Sequence, residues 1–193
     1  MEPFLAPIEK PKGLLWKLAY AFMRRMFGKV PSPIKVMSVR MPGAFMRFSV
    51  KISRLDKKLK LPVATQQLIR ECVARTNACL FCMDTQRWYV MNKTPENLTR
   101  LDALPDYRTS QLFTDAERSA LDYATELTET KRVSLETFER LARFYDEREI
   151  CDIAWLVASE HLYNVSNHAL NIGSDDLCEL RPAKLRDAER QSA

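Results

Sequence analysis

Apolar residues recur at helical spacing along most of the chain, and this periodicity constrains the fold more than any other feature. After Pro62, for example, Leu68, Ile69, Cys72 and Val73 repeat every three or four residues, as on one face of an α-helix. No stretch shows the alternation of apolar and polar residues that predicts a half-buried strand. The sequence therefore predicts an all-α protein.

Capping and stop signals divide the periodic stretches into separate helices. Gly28 is a typical stop, Asn77 a typical N-cap, and Thr114 with Glu117 forms a capping-box pattern. Gly173 is expected as the residue just beyond the last helix. The predicted helices are 14–27, 44–58, 63–75, 78–92, 96–103, 115–130, 134–145 and 146–172, while 34–41 is ambiguous between helix and strand.

Charge divides the chain near residue 60. Residues 1–60 contain 14 Lys or Arg against 3 Asp or Glu, whereas residues 61–193 contain 16 against 22. We expect a basic N-terminal helical arm over 1–60, a helical core over 61–181 and a polar tail over 182–193. We favour packing of the arm on the acidic body of its own or a neighbouring subunit over contact with an anionic membrane. No nucleic-acid-binding module is recognised, so no nucleic-acid partner is expected.

Several functional classes are disfavoured by composition. Four glycines and the absence of a Gly-rich loop motif argue against a nucleotide-binding loop, and two histidines exclude a three-His zinc site. The apolar run 14–23 contains Lys17, lacks a cleavage site and is too short to span a bilayer. We therefore expect a cytoplasmic protein with reduced cysteines that needs no cofactor and no metal.

Cys79 and Cys82 form a CxxC motif at the expected start of a helix. Residues three apart lie on one helix face, and the unpaired N–H groups of a first turn favour a thiolate. The pair could therefore form a reversible disulfide. The alternatives are two buried core cysteines or half of a structural zinc site. The other cysteines, which we expect to be structural, are Cys72, Cys151 and Cys178.

The segment before Cys79, QLIRECVARTNA, and the later segment that begins at Trp155 together resemble the carboxymuconolactone decarboxylase/AhpD-like (alkylhydroperoxidase) family. The resemblance covers most of 13–181. It implies an AhpD-like helical bundle, a homo-oligomer (a trimer or hexamer), and antioxidant peroxiredoxin activity supported by a dithiol or protein electron donor. It also implies that Cys82 attacks and Cys79 resolves.

The family's proton relay is replaced in this sequence. Its redox-active members have Glu twelve residues before the first cysteine and His four residues after the second; here these positions hold Gln67 and Gln86. A glutamine amide can orient a neighbour by hydrogen bonding but cannot accept a proton as a base. Glu71 and Asp84 are candidate substitutes, the alternative for both being a solvated helix face.

His161, Asn164 and His168 occupy the later helix and are further candidate relay or pocket residues. They could form an acid–base or metal site near Glu160, or they could be polar residues that bind backbone groups or a neighbouring subunit. If the family's packing holds, Tyr163, Asn164 and Asn167 face the CxxC helix.

Three hypotheses about function remain open at this point. The first is a thiol–disulfide redox enzyme, a peroxide or disulfide reductase that uses Cys79 and Cys82. The second is a non-redox oligomeric binding or scaffold protein, because both relay positions hold glutamine. The third is a cofactor-free decarboxylase-like enzyme on the same fold, for which two thiols are unnecessary.

Overall fold

The computed structural model describes residues 1–179 of the 193-residue chain. This described part contains eight α-helices and no strand, which confirms the all-α prediction. The predicted polar tail and the last residues of the predicted core, from 180 onward, lie outside the described residues. The helices are α1 Leu14–Phe27, α2 Arg47–Asp56, α3 Val63–Thr76, α4 Leu80–Lys93, α5 Leu98–Asp102, α6 Asp115–Thr130, α7 Leu135–Ala142 and α8 Glu147–Ala169.

Helix α3 lies at the centre of the bundle because two of its faces are apolar. Ile69 and Val73 pack into a core cluster with α6 and α8, whereas Leu68 and Cys72 pack into a second cluster that includes α4 and α5. Burying one such aliphatic side chain contributes about 1.5–3 kcal/mol. The neighbours α4 and α8 are thereby held against the same helix, which brings the start of α4 close to the middle of α8.

Two helix ends form as predicted. Thr114 and Glu117 make the expected reciprocal capping box at the start of α6. Asp146 and Glu149 make a further capping box, which was not predicted, at the start of α8. Gly28 ends α1 with a left-handed backbone (φ 84°), a conformation that glycine adopts without steric cost.

The end of α8 differs from its prediction. The helix ends at Ala169, and Asn171 takes the left-handed conformation (φ 52°) that was expected of Gly173. The N–H of Ile172 then donates to the carbonyl of Asn167 over 2.9 Å, which is the closing bond of a Schellman-type end. Asparagine is the residue that most often replaces glycine there, so the helix stops earlier than the apolar pattern suggested.

The basic N-terminal segment contacts the bundle at several places, among them the end of α1 and the turn that follows it. The rings of Phe27 and Trp88 lie 4.5 Å apart between centroids, and Ser32 donates through Oγ to Asp175 Oδ1 over 2.6 Å. The ambiguous stretch after α1 forms two short wide helical turns, Ile34–Ser38 and Pro42–Met46. Within residues 1–179 no helix, α1 included, is both long and apolar enough to cross a membrane. The proposed division into arm and core stays a prediction.

Candidate active site: a buried cysteine pair at the start of α4

A tight turn between α3 and α4 positions the two cysteines. Asn77 ends α3, Ala78 adopts a left-handed backbone (φ 53°), and Cys79 is the N-cap of α4 with an extended conformation. Helix α4 therefore begins two residues later than predicted, because Asn77 completes α3 and does not cap α4. As a result Cys79 stands at the N-cap and Cys82 at the third helical position, so both cysteines lie at the first turn of α4.

Asparagine amides from α8 contact both sulfurs. The Asn164 amide nitrogen Nδ2 lies 3.0 Å from Cys82 Sγ, and Asn167 Nδ2 lies 3.4 Å from Cys82 Sγ and 3.6 Å from Cys79 Sγ. Cys79 is 1% exposed and Cys82 5% exposed. Both cysteines are free thiols. The cysteine pair is thus a buried site whose nearest polar groups are hydrogen-bond donors.

A buried carboxylate completes this side of the site. Glu160 lies one helical turn before Asn164 and accepts a hydrogen bond from its Nδ2 over 2.9 Å, while the same Nδ2 lies 3.0 Å from Cys82 Sγ. Arg70 Nη1 donates to Glu160 over 3.1 Å, and the same guanidinium donates through Nη2 to Asp56 over 2.7 Å. Glu160 is therefore a charged group held inside the protein by a paired arginine.

The environment separates the pKa values of the two thiols. The pKa of Cys79 is lowered, mainly because the Cys82 side chain hydrogen-bonds to it, and the Asn167 amide and the Cys82 backbone N–H add to this effect against burial. The pKa of Cys82 is raised, because that shared hydrogen bond keeps its proton in place and because burial and the charge of Glu160 oppose a second anion. Ionisation of the pair is therefore favoured at Cys79 over Cys82.

The two glutamines at the relay positions have different surroundings. The Gln67 amide exchanges hydrogen bonds with Thr94 (3.0 and 3.1 Å) and accepts one from Asn97 (3.2 Å), at the end of α4 opposite the cysteines. Gln86 is half-buried in the middle of α4. The Gln67 side chain is therefore hydrogen-bonded at the end of α4 that lies away from the cysteines.

The two candidate substitute carboxylates are both buried. Glu71 is 1% exposed, accepts from Arg75 Nε over 2.7 Å, and has a second oxygen without a partner among residues 1–179. Burial raises its pKa to about 7, although Arg75 lowers it. Asp84 accepts hydrogen bonds from the loop after α8, given by Ser174 Oγ and by the backbone N–H groups of Asp175, Leu177 and Cys178. Asp84 anchors that loop, and neither carboxylate lies on a solvated helix face.

The histidines support the turn before Cys79. His161 lies between Asn77 Nδ2 (3.4 Å from Nδ1) and Thr128 Oγ1 (3.3 Å from Nε2), and burial lowers its pKa. His168 is exposed and donates through Nε2 to the Asn77 carbonyl over 2.8 Å. Both rings hold the residue that ends α3. Over residues 1–179 no three His, Cys, Asp or Glu side chains are grouped to hold a metal ion.

The sequence indicated the cysteine pair and its two asparagines but not the charged half of the site, which is the ion pair of Arg70 and Glu160. Arg70 appears in the sequence as an ordinary helix residue, and Glu160 stands out only as a neighbour of His161. The available signal was the spacing of Glu160, Asn164 and Asn167, which lie four and three residues apart and so share one face of α8.

Comparison with known proteins shows to which family the chain belongs. The chain is 30% identical over 178 residues to YnjA of Escherichia coli K12, a protein described as uncharacterized, and the match covers 91% of this chain and 96% of YnjA. The chain belongs to the YnjA family. No protein-family model matches it.

Solved structures with the same fold extend this relationship. The debrominase Bmp8, solved as a cysteine-to-alanine variant with 2,3,4-tribromopyrrole, superposes with a TM-score of 0.77 at 20% identity over 93% of this chain and 95% of that one. An alkylhydroperoxidase AhpD core protein from Ralstonia eutropha JMP134, described as peroxidase-related, superposes with a TM-score of 0.70 at 19% identity over 90% and 96%. This YnjA-family chain therefore has the AhpD-like fold, as the resemblance in its sequence indicated.

Proposed function

We propose that the chain is a dithiol oxidoreductase that reduces a hydroperoxide or a disulfide with Cys79 and Cys82. The observation that carries this proposal is that one amide nitrogen, Asn167 Nδ2, contacts both sulfurs, at 3.6 Å from Cys79 Sγ and 3.4 Å from Cys82 Sγ. Sulfurs held this closely need only a small movement to form a disulfide. The AhpD-like fold, found also in peroxidase-related proteins, is consistent with such a reaction.

The reaction with a hydroperoxide has two steps. The Cys79 thiolate attacks the outer oxygen, the O–O bond breaks, and the leaving alkoxide takes a proton from water, so that Cys79 becomes a sulfenic acid. The Cys82 sulfur then attacks Cys79 Sγ, the hydroxyl group leaves as water, and a disulfide forms. Two electrons pass from the sulfurs to the peroxide, and an external dithiol or protein thiol restores both thiols.

This order reverses the roles that the family resemblance implies, in which Cys82 attacks. Cys79 is favoured as the attacking group because its pKa is lowered, mainly by the Cys82 side chain, whereas the pKa of Cys82 is raised by the same interaction and by burial. The burial of both sulfurs favours a small oxidant, since a larger partner reaches them only after local opening.

Thiol counting with peptide mapping tests the proposal. The fully reduced chain is treated with a slight excess of an organic hydroperoxide, and free thiols are counted over time. We expect rapid loss of two thiols, with the new bond mapped by mass spectrometry to Cys79–Cys82. A Cys151→Ser variant, which lacks an exposed cysteine on α8, serves as the control and should behave as the wild type. Thiols that stay reduced for hours, or a bond at other cysteines, would contradict the proposal.

Reductive debromination is a second candidate for the same pair, because the debrominase Bmp8 superposes over 93% of the chain. Here the two thiols would give up two electrons and two protons, and the products would be a disulfide, a C–H bond in place of C–Br, and hydrogen bromide. Incubation of the reduced chain with 2,3,4-tribromopyrrole tests this reaction. Bromide release equal to the amount of Cys79–Cys82 disulfide supports it, and the absence of bromide release contradicts it.

A further inference from the structure

We propose that Glu160 is the base that removes the proton from the Cys82 thiol when the disulfide closes. This inference rests on the dithiol function proposed above. It assigns a catalytic role to a residue of α8, because the Asn164 amide joins Glu160 to one of the reacting sulfurs.

The reaction itself creates the need for a second proton acceptor. In the reduced site a Cys79 thiolate can accept the proton of Cys82, because the Asn167 amide contacts both sulfurs and holds them side by side. Once Cys79 has become a sulfenic acid, it carries no negative charge to accept that proton. Cys82 must nevertheless become a thiolate before it attacks, because the thiolate and not the thiol is the nucleophile.

Glu160 is placed to accept this proton. It is 3% exposed and is bridged to Cys82 Sγ by Asn164, whose Nδ2 lies 2.9 Å from Glu160 Oε1 and 3.0 Å from Sγ. The amide can donate one hydrogen to each partner. Asn164 therefore fixes the carboxylate and the sulfur relative to each other while the proton moves.

The surroundings give Glu160 the proton affinity that a base requires. Burial raises its pKa, whereas Arg70 stabilises the carboxylate and opposes this rise. Asp56 in turn accepts hydrogen bonds from Arg70 and from the Trp155 indole, which holds the guanidinium in place. The titratable and charged groups around Glu160 are Asp56 from α2, Arg70 and Glu71 from α3, Cys79 and Cys82 from α4, and Tyr163 from α8.

The proton balance of the step closes within the site. Glu160 takes the proton of Cys82, and the Cys82 thiolate attacks Cys79 Sγ. The S–O bond of the sulfenic acid breaks, and the departing hydroxide takes the proton from Glu160 and leaves as water. Glu160 is a carboxylate again at the end, so it is not consumed. This differs from the relay that the family resemblance led us to expect, because Gln67 and Gln86 cannot accept a proton.

The test is to follow the two steps separately in Glu160→Gln. General-base catalysis typically contributes 10²–10⁴-fold, so we expect disulfide closure to slow by about 100-fold or more near pH 7. Loss of hydroperoxide in the first turnover should keep its rate. Cys79 sulfenic acid should therefore accumulate and be captured by a sulfenic-acid-specific reagent. The closure rate of the variant should rise with pH, because hydroxide replaces the missing base.

Glu117→Gln is the matched control. Glu117 is also a carboxylate paired with an arginine, Arg100, but it lies on α6 outside the cluster around the cysteines. Its closure rate and pH profile should match the wild type. If Glu160→Gln does not fold, the Arg70→Gln/Glu160→Gln double variant replaces the buried ion pair by an amide pair and should show the same slow closure.

The outcomes separate this inference from the function on which it rests. A wild-type chain that forms no Cys79–Cys82 disulfide contradicts the dithiol function. If the wild-type chain forms this disulfide and Glu160→Gln forms it equally fast at every pH, the role of Glu160 is overturned and the dithiol function stands. Where only the double variant folds, its closure rate is compared with the wild type in the same way.

Discussion

The side-chain amide of Asn164 lies 3.0 Å from the sulfur of Cys82, and this contact connects the middle of α8 to the first turn of α4. Asn164 belongs to a row on α8 that begins with Glu160 and ends with Asn167. Because residues at this spacing share one helix face, a single helix presents a carboxylate and two amides to the cysteine pair. The chemistry of the sulfurs should therefore respond to changes in α8 as much as to changes in α4.

The first prediction concerns Asn167. Replacing it with Leu removes a donor that lowers the pKa of Cys79, so that pKa should rise toward the ordinary value of a cysteine. The measurement is a titration of thiolate absorbance in the ultraviolet, corrected with the Cys79→Ser variant. Asn97→Leu is the control, because that amide bonds Gln67 at the far end of α4. An equal titration of Cys79 in wild type and Asn167→Leu would show that the amide does not stabilise the thiolate.

The second prediction concerns Arg70, which pairs with Asp56 and Glu160 inside the bundle. Arg70→Met leaves buried charge without its partner and should lower the free energy of unfolding by roughly 3–5 kcal/mol. Adding Glu160→Gln should restore part of that loss, because one uncompensated charge is then gone. The measurement is urea denaturation of the single and double variants.

Lys60→Met is the control for Arg70, because the pair of Lys60 and Asp146 is more than half exposed on both sides. Its removal should cost less than about 1 kcal/mol. If Arg70→Met costs no more than this control, the buried cluster does not depend on its arginine.

Helix type and the cysteine pair were predictable from sequence, but the charged half of the site was not. Capping boxes and apolar spacing act within a few residues, so Thr114 and Asp146 could be recognised locally. The contact between Arg70 and Glu160 joins residues 90 apart in the sequence. The residues around each of them give no sign that the two side chains form a buried ion pair. The prediction that Asn77 caps α4 was wrong for the same reason: the hydrogen-bond partner of its side chain, Asn164, lies on a distant helix.

The third prediction concerns the pH dependence of stability through Glu71. Its pKa in the folded chain is about 7 against a reference of 4.5, so the folded state binds more protons between these values. The contribution of Glu71 to stability should therefore fall by ~3 kcal/mol in total as pH rises from about 4.5 to 7. Glu71→Gln removes this contribution, so the variant should become more stable relative to wild type over that interval.

Urea denaturation at several pH values measures the effect of Glu71→Gln. Glu136→Gln, an exposed carboxyl on α7, controls for the loss of one charge. A constant difference between Glu71→Gln and wild type from pH 4.5 to 7 would show that Glu71 does not titrate in this range.

The fourth prediction concerns Asp84, which accepts three backbone N–H groups and one hydroxyl from the loop after α8. Asp84→Asn replaces one acceptor oxygen by an amide that faces donors, so the loop should open more often. We expect faster backbone hydrogen exchange over 174–178 and faster alkylation of Cys178. Asp102→Asn, which changes an exposed partner of Arg87, should leave both rates unchanged. Unchanged exchange in Asp84→Asn would mean that the loop is held by other contacts.

The last prediction concerns assembly, which the family resemblance implies and α1 supports. This helix buries Tyr20 and Phe27 but leaves four large apolar side chains exposed, namely Leu14, Leu15, Leu18 and Phe22. Leu15 is 83% exposed and Phe22 58% exposed. A patch of this kind on a basic helix is typical of a contact with another subunit.

Size-exclusion chromatography with light scattering should show an oligomer for the wild-type chain. The Leu15→Glu/Phe22→Glu variant should give smaller species, while Leu135→Glu, a change of an equally exposed residue on α7, should not. A monomeric wild-type chain would contradict the prediction, and an unchanged oligomer in the α1 variant would place the contact on another surface.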